Sequence, residues 1–317
     1  MKRLAFVVMA VLAAASATAQ TYPAKPIRIV IPFGAGSGTD AVMRVLVPHL
    51  SAAMGQPIVI DPKPGADGAI SASEAARSAP DGYTFYIGTG GPLAAVPALR
   101  KNPPYDSVKD FTPITDVGRY TVFLFVNAEV PAKSFQDFVT YVRANPGKVA
   151  YATGNPSGIV AWAQINSLLG LKMLHVPYKT APQVMPDLLT NRVQAVIDSP
   201  AVALTHVKDG KLRALVTTLS KRSPLLPEVP SIHEVGVPEF TITNWAGLLG
   251  PAGLPREVVM RLNAAVVAAV ARKELADQLV ALGYEMESNT PEQFAAFLRD
   301  DSAQWLRLIK MTGASAE

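Results

Sequence analysis

Residues 27–55 have the sequence IRIVIPFGAGSGTDAVMRVLVPHLSAAMG: a run of β-branched residues, a glycine-rich turn and a stretch with apolar residues at helical spacing. The turn lacks the lysine of a phosphate loop and the glycine spacing of a dinucleotide site, and Ser37 is not framed as G-x-S-x-G. Nucleotide binding and acyl transfer are therefore both disfavoured. Glycines let a ligand approach the backbone, and a helix start offers unpaired N–H groups at the positive end of its dipole. The stretch predicts a strand, a turn and a helix, with a turn that can hold a carboxylate without a basic side chain.

Three more turns of the same kind occur along the chain. They are PKPGADG before a predicted helix at Ser71, GTGGP at 88–92 and ATGNPSG at 152–158. Any one of them is typical of an ordinary turn. Because the carboxyl ends of parallel strands meet at one edge of a sheet, the four together predict a cleft lined by backbone amides and hydroxyls.

Strands and helices alternate over most of the chain, which indicates an α/β fold with largely parallel sheets. Strands are predicted at 27–33, 58–61, 83–88, 121–126, 149–152, 195–197 and 212–217, and helices at 40–54, 71–78, 135–144, 160–169, 184–190 and 204–209. From about Pro255 the pattern becomes amphipathic helices, which we expect to pack on the first sheet. The chain would then leave one domain, visit a second and return, so that the two crossings form a hinge.

The N-terminal segment, the net charge and the absence of cysteine limit the class of protein. Residues 1–19 have two basic residues, an apolar block and small residues at a cleavage position, which predicts a signal peptide; the block is too short for the alternative, a transmembrane anchor. Without Lys2 and Arg3 the net charge of +4 falls by two, and no basic patch indicates nucleic-acid binding. The absence of cysteine excludes thiol catalysis, disulfides and thiolate metal sites.

Catalytic patterns are weak. The four histidines, His49, His175, His206 and His233, are far apart and form no metal-ligand motif, so we expect neither a metal nor a cofactor. A Ser-His-Asp set stays open, because such residues meet only in space. An exported α/β hydrolase is therefore the main alternative from another class, although its nucleophile motif is missing.

A family resemblance rests on motifs in order along the whole chain after the signal peptide: YPAKPIRIVIPFGAGSGTD, GQPIVIDPKPGADG, SAPDGYTFYIGTGG, NPPYDSVKDFTPIT, NPGKVAYATGNPSG, LHVPYKTAPQVMPDLL and NWAGLLGPAGLP. The chain resembles the tripartite tricarboxylate transporter solute receptors, also called Bug-type periplasmic binding proteins. The motifs are specific jointly and weak singly.

The resemblance implies a two-lobed, type II-like α/β fold, each lobe a mixed, mainly parallel sheet flanked by helices. Lobe one is expected to comprise 20–122 and 244–317, and lobe two 123–243. It further implies a monomeric, non-catalytic periplasmic receptor that closes on a small carboxylate and passes it to a membrane permease. A receptor that signals to a membrane kinase is the remaining alternative.

Carried over by position, the resemblance places ligand contacts on both lobes, in loops of small and polar residues. The expected ligand-binding residues are Phe33, Gly34, Gly36, Ser37, Gly38, Thr39, Asp40, Thr89, Gly90, Gly91, Thr153, Gly154, Asn155, Ser157 and Asp198, with Arg119, Trp162, Tyr178 and Trp245 as further candidates. Asp40 and Asp198 have an alternative role, as caps of a helix or turn. Arg119 is expected to meet a second carboxylate by a charge-assisted pair.

Departures from the family pattern concern the ligand. Pro156 and Ile159 make the second lobe's loop less polar, and with Trp162 nearby they favour an aromatic or longer-chain acid over an amino acid. Asp67 is acidic where relatives usually have glycine, and near a helix start it would compete with a ligand carboxylate unless it points to solvent.

Overall fold

The computed structural model describes residues 22–313, except for the side chains of residues 201 and 202. The predicted signal peptide, and the outer ends of predicted lobe one, lie outside the described residues. Within them the chain forms two sheets with helices on their faces, as the alternating pattern predicts.

The first sheet has six strands, in the order β11-β4-β10-β3-β1-β2. Its strands come from two separate parts of the chain, one before and one after the segment that forms the second sheet. The strands are β1 (Ile27–Ile31), β2 (Ile58–Pro62), β3 (Thr84–Thr89), β4 (Phe111–Tyr120), β10 (Trp245–Pro251) and β11 (Tyr284–Glu285). We call this sheet and its helices lobe one.

The second sheet has five strands, in the order β7-β6-β8-β5-β9. They are β5 (Phe123–Asn127), β6 (Ala150–Thr153), β7 (Leu174–Pro177), β8 (Ala195–Asp198) and β9 (Leu212–Thr217). We call this sheet and its helices lobe two. The residues at which the two lobes divide, 122/123 and 243/244, stay a prediction.

Both sheets are mixed, but the expectation that they are mainly parallel is wrong. Of the nine strand pairings in the described chain, four are parallel and five antiparallel. The reason lies in the strands that carry the chain between sheets. β4 and β5 follow one another almost without a turn, and β10 returns against β3 and β4, so these strands run opposite to their neighbours.

Helices cover the faces of both sheets. In lobe one they are α1 (Gly38–Met54), α2 (Ala69–Ala76), α3 (Val96–Leu99, continuing the helical segment Gly91–Ala95), α8 (Arg256–Val270), α9 (Lys273–Ala281) and α10 (Pro291–Thr312). In lobe two they are α4 (Phe135–Ala144), α5 (Pro156–Leu169), α6 (Ala181–Leu189) and α7 (Pro200–Lys208). Capping boxes are present at the starts of α4 and α10.

The C-terminal helix α10 packs differently from the expectation. Its first half, with Phe294 and Leu298, belongs to a core on lobe one. Its second half, with Trp305, Leu308 and Ile309, belongs to the core that covers a face of the five-stranded sheet. The helix is therefore not confined to the first sheet but bridges the two lobes, because its apolar face is long enough at 22 residues to reach both.

Candidate functional site

The first cleft loop joins β1 to α1 and is organised around Ser37 and Asp40. The Ser37 hydroxyl caps the helix by accepting the amide of Asp40. The amide of Gly36 donates a hydrogen bond to Oδ2 of Asp40, at 2.9 Å. Among the described residues, the amides of Gly38 and Thr39 make no hydrogen bond, which leaves them available to a ligand.

Asp40 is a buried acid in this loop. Its Oδ2 also accepts from Nε of Arg44 at 2.9 Å, while its Oδ1 is buried and has no partner among residues 22–313. Burial opposes ionisation, but the Arg44 guanidinium and the Gly36 amide outweigh it and lower the pKa of Asp40. Ser37, not Asp40, is therefore the N-cap of α1, whereas Asp40 holds the preceding turn through the Gly36 amide and forms an ion pair with Arg44.

The second loop of lobe one follows β3. Thr89 is 1% exposed, and its hydroxyl has no hydrogen-bond partner within the described chain. Gly90 lies over Trp245, since a Cβ on Gly90 would meet Nε1 of that indole at 3.3 Å. Gly91 points at the other lobe, because a Cβ built there would lie 3.3 Å from Oγ of Ser157.

The facing loop of lobe two joins β6 to α5. Asn155 caps the helix by accepting the amide of Gly158 at 2.8 Å. Gly154 packs against the start of α6, where a Cβ would come within 2.5 Å of Cα of Ala181. The Thr153 hydroxyl hydrogen-bonds with Nε2 of His175 at 2.7 Å, so it supports the loop. Ser157 is the polar side chain of this loop that faces lobe one.

Asp198 ends β8 on the lobe-two side. Its Oδ1 accepts the amide of Ser199 at 2.7 Å. Burial dominates and raises the pKa of Asp198 to about 6, which the single amide contact does not offset. Among the described residues no cation accompanies the buried acid Asp198, whereas Asp40 has Arg44.

Two tyrosines that sequence reasoning did not select complete the site. Tyr120, the last residue of β4, packs against the main cores of both lobes, and its ring lies 5.2 Å from that of Tyr284. The Tyr120 phenol lies beside Thr89 and near the carboxylate of Asp198. The Tyr284 phenol lies against Thr39 and 4.0 Å from the Cβ position of Gly38. Tyr284 belongs to a two-residue strand inside a helical tail, and no sequence pattern marks it.

The sequence pattern of the "Tripartite tricarboxylate transporter family receptor" family matches residues 42–314. The chain belongs to this family. Its members are solute-binding receptors, not enzymes, and the hydrolase alternative falls with this assignment.

Relatives of this receptor match it over nearly the full length. Protein BugT of Bordetella pertussis is 33% identical over 306 residues, covering 95% of this chain and 93% of BugT. Among solved structures, R. palustris Rpa4515 with adipate has a TM-score of 0.87 and 31% identity, covering 93% of this chain and 99% of that chain. MatC from Rhodopseudomonas palustris with bound malate has a TM-score of 0.80 and 29% identity, covering 91% and 100%.

Four further candidates have other partners in this receptor. Arg119 donates to Asp116, lies 3.8 Å from Glu287 and stacks over Phe297, so its charge is used inside lobe one. The phenol of Tyr178 donates to Asp187 at 2.7 Å.

Trp162 and Trp245 are 0% exposed and belong to cores. Trp162 packs against Tyr151 and Phe138, and Nε1 of Trp245 donates to Asp301. These contacts argue against a ligand platform. The sequence placed both indoles near loops, but their size favours burial.

Asp67 lies in a strained turn after β2. Ala66 and Asp67 have positive φ values of 48° and 61°, and Arg100 donates to the carbonyl of Ala66. Burial raises the pKa of Asp67, and the nearby Arg100 only partly offsets it. Its carboxylate takes no backbone amide within residues 22–313, so the expected competition for helix-start amides is not seen.

Within the described chain, no group of three or more His, Asp or Glu side chains is close enough to bind a metal ion. No helix between residues 22 and 313 has the length and apolar character needed to cross a bilayer.

Proposed function

We propose that this receptor captures a small organic dicarboxylate between its two lobes by hinge closure and delivers it to a tripartite tricarboxylate-type membrane permease. It would act as a monomer in the periplasm, after removal of residues 1–19. The ligand adipate in Rpa4515 and malate in MatC support a dicarboxylate.

The observation that carries the proposal is the opposition of two neutral donor loops across the lobes. The Gly91 backbone of lobe one and the Ser157 hydroxyl of lobe two approach each other where helices of both lobes begin. Helix starts bind carboxylates through amides and the helix dipole, without basic side chains. In the described loops, the nearby cation, Arg44, is tied to Asp40.

We favour an aliphatic acid over an aromatic acid as the ligand. The expectation of an aromatic ligand relied on Trp162 near the second loop, and that indole is packed in the core of lobe two. We therefore propose an aliphatic diacid, held by the amides of Gly38 and Thr39 and by Ser157.

Hinge closure is supported by the two crossings of the chain. At the first, the amide of Thr121 bonds to the carbonyl of Gly283 and its hydroxyl lies 3.0 Å from that of Ser223. Beside it, Lys221 of lobe two pairs with Glu285 of lobe one. A ligand favours the closed form only through contacts that both lobes make to it.

The test is a thermal-unfolding screen of the mature chain, refolded to remove carried-over ligand, with succinate, adipate, malate, citrate, benzoate, phthalate and aspartate. A ligand at 100 times its dissociation constant stabilises the fold by about 2.7 kcal/mol. We expect aliphatic diacids to raise the melting temperature and to lower the radius of gyration in X-ray scattering. No stabilisation by any acid would refute the proposal.

A matched pair of variants locates the site. Ser157→Ala removes the hydroxyl that faces Gly91, whereas Ser167→Ala removes an exposed hydroxyl on the same helix. We expect only the first to weaken binding of the diacid, by about fivefold for one lost hydrogen bond.

A further inference from the structure

The loop that follows β3 in lobe one lies on two buried indole rings. A Cβ built on Gly90 would lie 3.3 Å from Nε1 of Trp245 and 3.6 Å from Cζ2 of Trp305. The two tryptophans are 0% and 1% exposed, so they contact the loop from the interior of the protein. The next residue is Gly91, whose Cβ position lies 3.3 Å from Oγ of Ser157 in lobe two. The position of Gly91 relative to lobe two therefore depends on where the two rings lie.

One carboxylate holds both rings. Oδ2 of Asp301 accepts a hydrogen bond from Nε1 of Trp245 at 2.9 Å, and its Oδ1 accepts one from Nε1 of Trp305 at 3.1 Å. Asp301 is 6% exposed. An indole has a single polar atom, which only donates, and hydrogen bonds to an ionised acceptor are stronger than those between neutral groups. Asp301 therefore restricts how both rings can rotate.

Asp301 is ionised above neutral pH in spite of its burial. Burial raises the pKa of Asp301 to about 6; the two indole N–H groups and the Arg119 guanidinium oppose that rise, whereas the Asp116 carboxylate adds to it. A buried carboxylate costs free energy that an apolar side chain would not. What Asp301 supplies in return is two acceptors at a fixed separation, one for each indole.

The two indoles belong to different cores. Trp245 is the first residue of β10, where the chain returns from lobe two, and it packs with Phe294 in a core of lobe one. Trp305 lies in the core that covers a face of the five-stranded sheet. Asp301 lies on α10 and bonds to both indoles, so it links the two cores directly beneath Gly90.

A side chain that holds both indoles also holds the loop that rests on them. We propose that Asp301 is a positioning residue of the ligand cleft: through the indoles of Trp245 and Trp305 it keeps Gly90, and with it the neighbouring Gly91, at the distance from lobe two that ligand binding requires. Asp301 acts from the interior, since both of its oxygens are engaged by the indoles. This inference rests on the proposed function, because it concerns a loop to which that function assigns the ligand.

The experiment compares Asp301→Asn with Asp300→Asn, which removes an exposed carboxylate one residue earlier on α10. An asparagine has one acceptor oxygen, and its NH₂ group would face an indole N–H, so one of the two hydrogen bonds is lost. Dissociation constants for succinate, adipate and malate are measured by calorimetry at pH 8 on the mature chain. NMR spectra of the ligand-free protein follow the backbone amides of Gly90 and Gly91 and the indole N–H groups, with Trp162 in the core of lobe two as the internal reference.

In Asp301→Asn we expect the affinity for each acid that the wild type binds to fall about tenfold, because the loop is no longer held in place. The amide signals of Gly90 and Gly91 and at least one of the two indole signals should shift. Asp300→Asn should change neither the dissociation constants nor these signals. Trp305→Phe removes one donor and keeps the carboxylate, and it should weaken binding about threefold and shift the Gly90 signal. This variant keeps the test decisive if Asp301→Asn does not fold.

Three outcomes would overturn the inference. If Asp301→Asn lowers the melting temperature but keeps the wild-type dissociation constants, Asp301 only stabilises the fold and the proposed function stands. A loss of affinity with unchanged Gly90 and Gly91 signals would mean that Asp301 does not act through the loop. If the wild type binds none of the three acids, the failure is that of the proposed function, which the wild type alone reveals, and this inference falls with it.

Discussion

The cleft loops of the two lobes look alike in sequence but treat their buried acids in opposite ways. In lobe one, Asp40 is held by the Gly36 amide and the Arg44 guanidinium, and its pKa is lowered. In the described part of lobe two, Asp198 accepts one amide and has no paired cation, and burial raises its pKa to about 6. The buried carboxylate of Asp40 is therefore paired within lobe one, whereas that of Asp198 has no paired cation among the described residues.

The helix starts of the two loops differ in the same sense. Ser37 caps α1 through a 3.3 Å contact, and Asp40 holds the turn before the helix by accepting the Gly36 amide, while Asn155 caps α5 at 2.8 Å. Lobe one thus relies on a charged network, and lobe two relies on a neutral cap and close packing. Similar glycine-rich sequences do not imply similar electrostatics.

The largest effect is expected from a methyl group at Gly154. In Gly154→Ala the new Cβ would lie 2.5 Å from the Ala181 backbone, and overpacking of this kind lowers the free energy of unfolding by about 3 kcal/mol. Gly36→Ala meets no atom within 4 Å but has a φ of 81°, which costs about 1 kcal/mol. Gly34→Ala, with neither problem, is the control. Equal stability of all three in urea unfolding would contradict the comparison.

Asp198→Asn should stabilise the receptor at neutral pH. The folded pKa of about 6 lies above the ordinary 3.8, so the wild type binds more protons folded than unfolded and loses stability as pH rises between these values. Removing the charge should raise the free energy of unfolding at pH 8 by about 2 kcal/mol, with little change at pH 4. Asp209→Asn, an exposed acid of the same lobe, should change neither value. A loss of stability at pH 8 would disprove the uncompensated charge.

Asp40→Asn should have the opposite pH dependence. The folded pKa is lowered, so the carboxylate stabilises the fold above its unfolded pKa, and this contribution disappears as pH falls through the folded pKa. At pH 7 the loss should be about 1.5 kcal/mol, typical of a hydrogen bond to a charged group. Arg44→Gln should cost less, because the Arg44 side chain is 64% exposed. An Asp40→Asn deficit that persists unchanged in acid would be inconsistent with an ionic role.

The smallest effect concerns the neutral cap. Asn155→Ala should lower the free energy of unfolding by about 1 kcal/mol, independent of pH between about 5 and 9, because no ionisable group is involved. Ser37→Ala, with the longer capping contact, should cost about half as much. Denaturant melts at pH 5, 7 and 9 compare the two. A pH-dependent loss for Asn155→Ala would show that the cap is coupled to a charge.

Sequence patterns predicted the local units well where burial and periodicity agree. The helix at 135–144 is confirmed, and β1 and β9 lie within the strands predicted for them. β4 and β10 were not predicted. Both contain proline and glycine, which local patterns associate with turns, yet β10 is buried along its whole length. Pairing with neighbouring strands stabilises β4 and β10, although their local sequences do not favour strands.

The amino-acid sequence by itself determined the α/β class, the glycine-rich turns and the family, because these depend on local periodicity and on motifs in order along the chain. Only the tertiary structure decided which polar groups are satisfied. Arg119 and Trp245 became internal because Asp116 and Asp301 lie beside them, and Tyr120 reached the junction because strands far apart in sequence meet there. Burial and pairing depend on neighbours that no local stretch specifies.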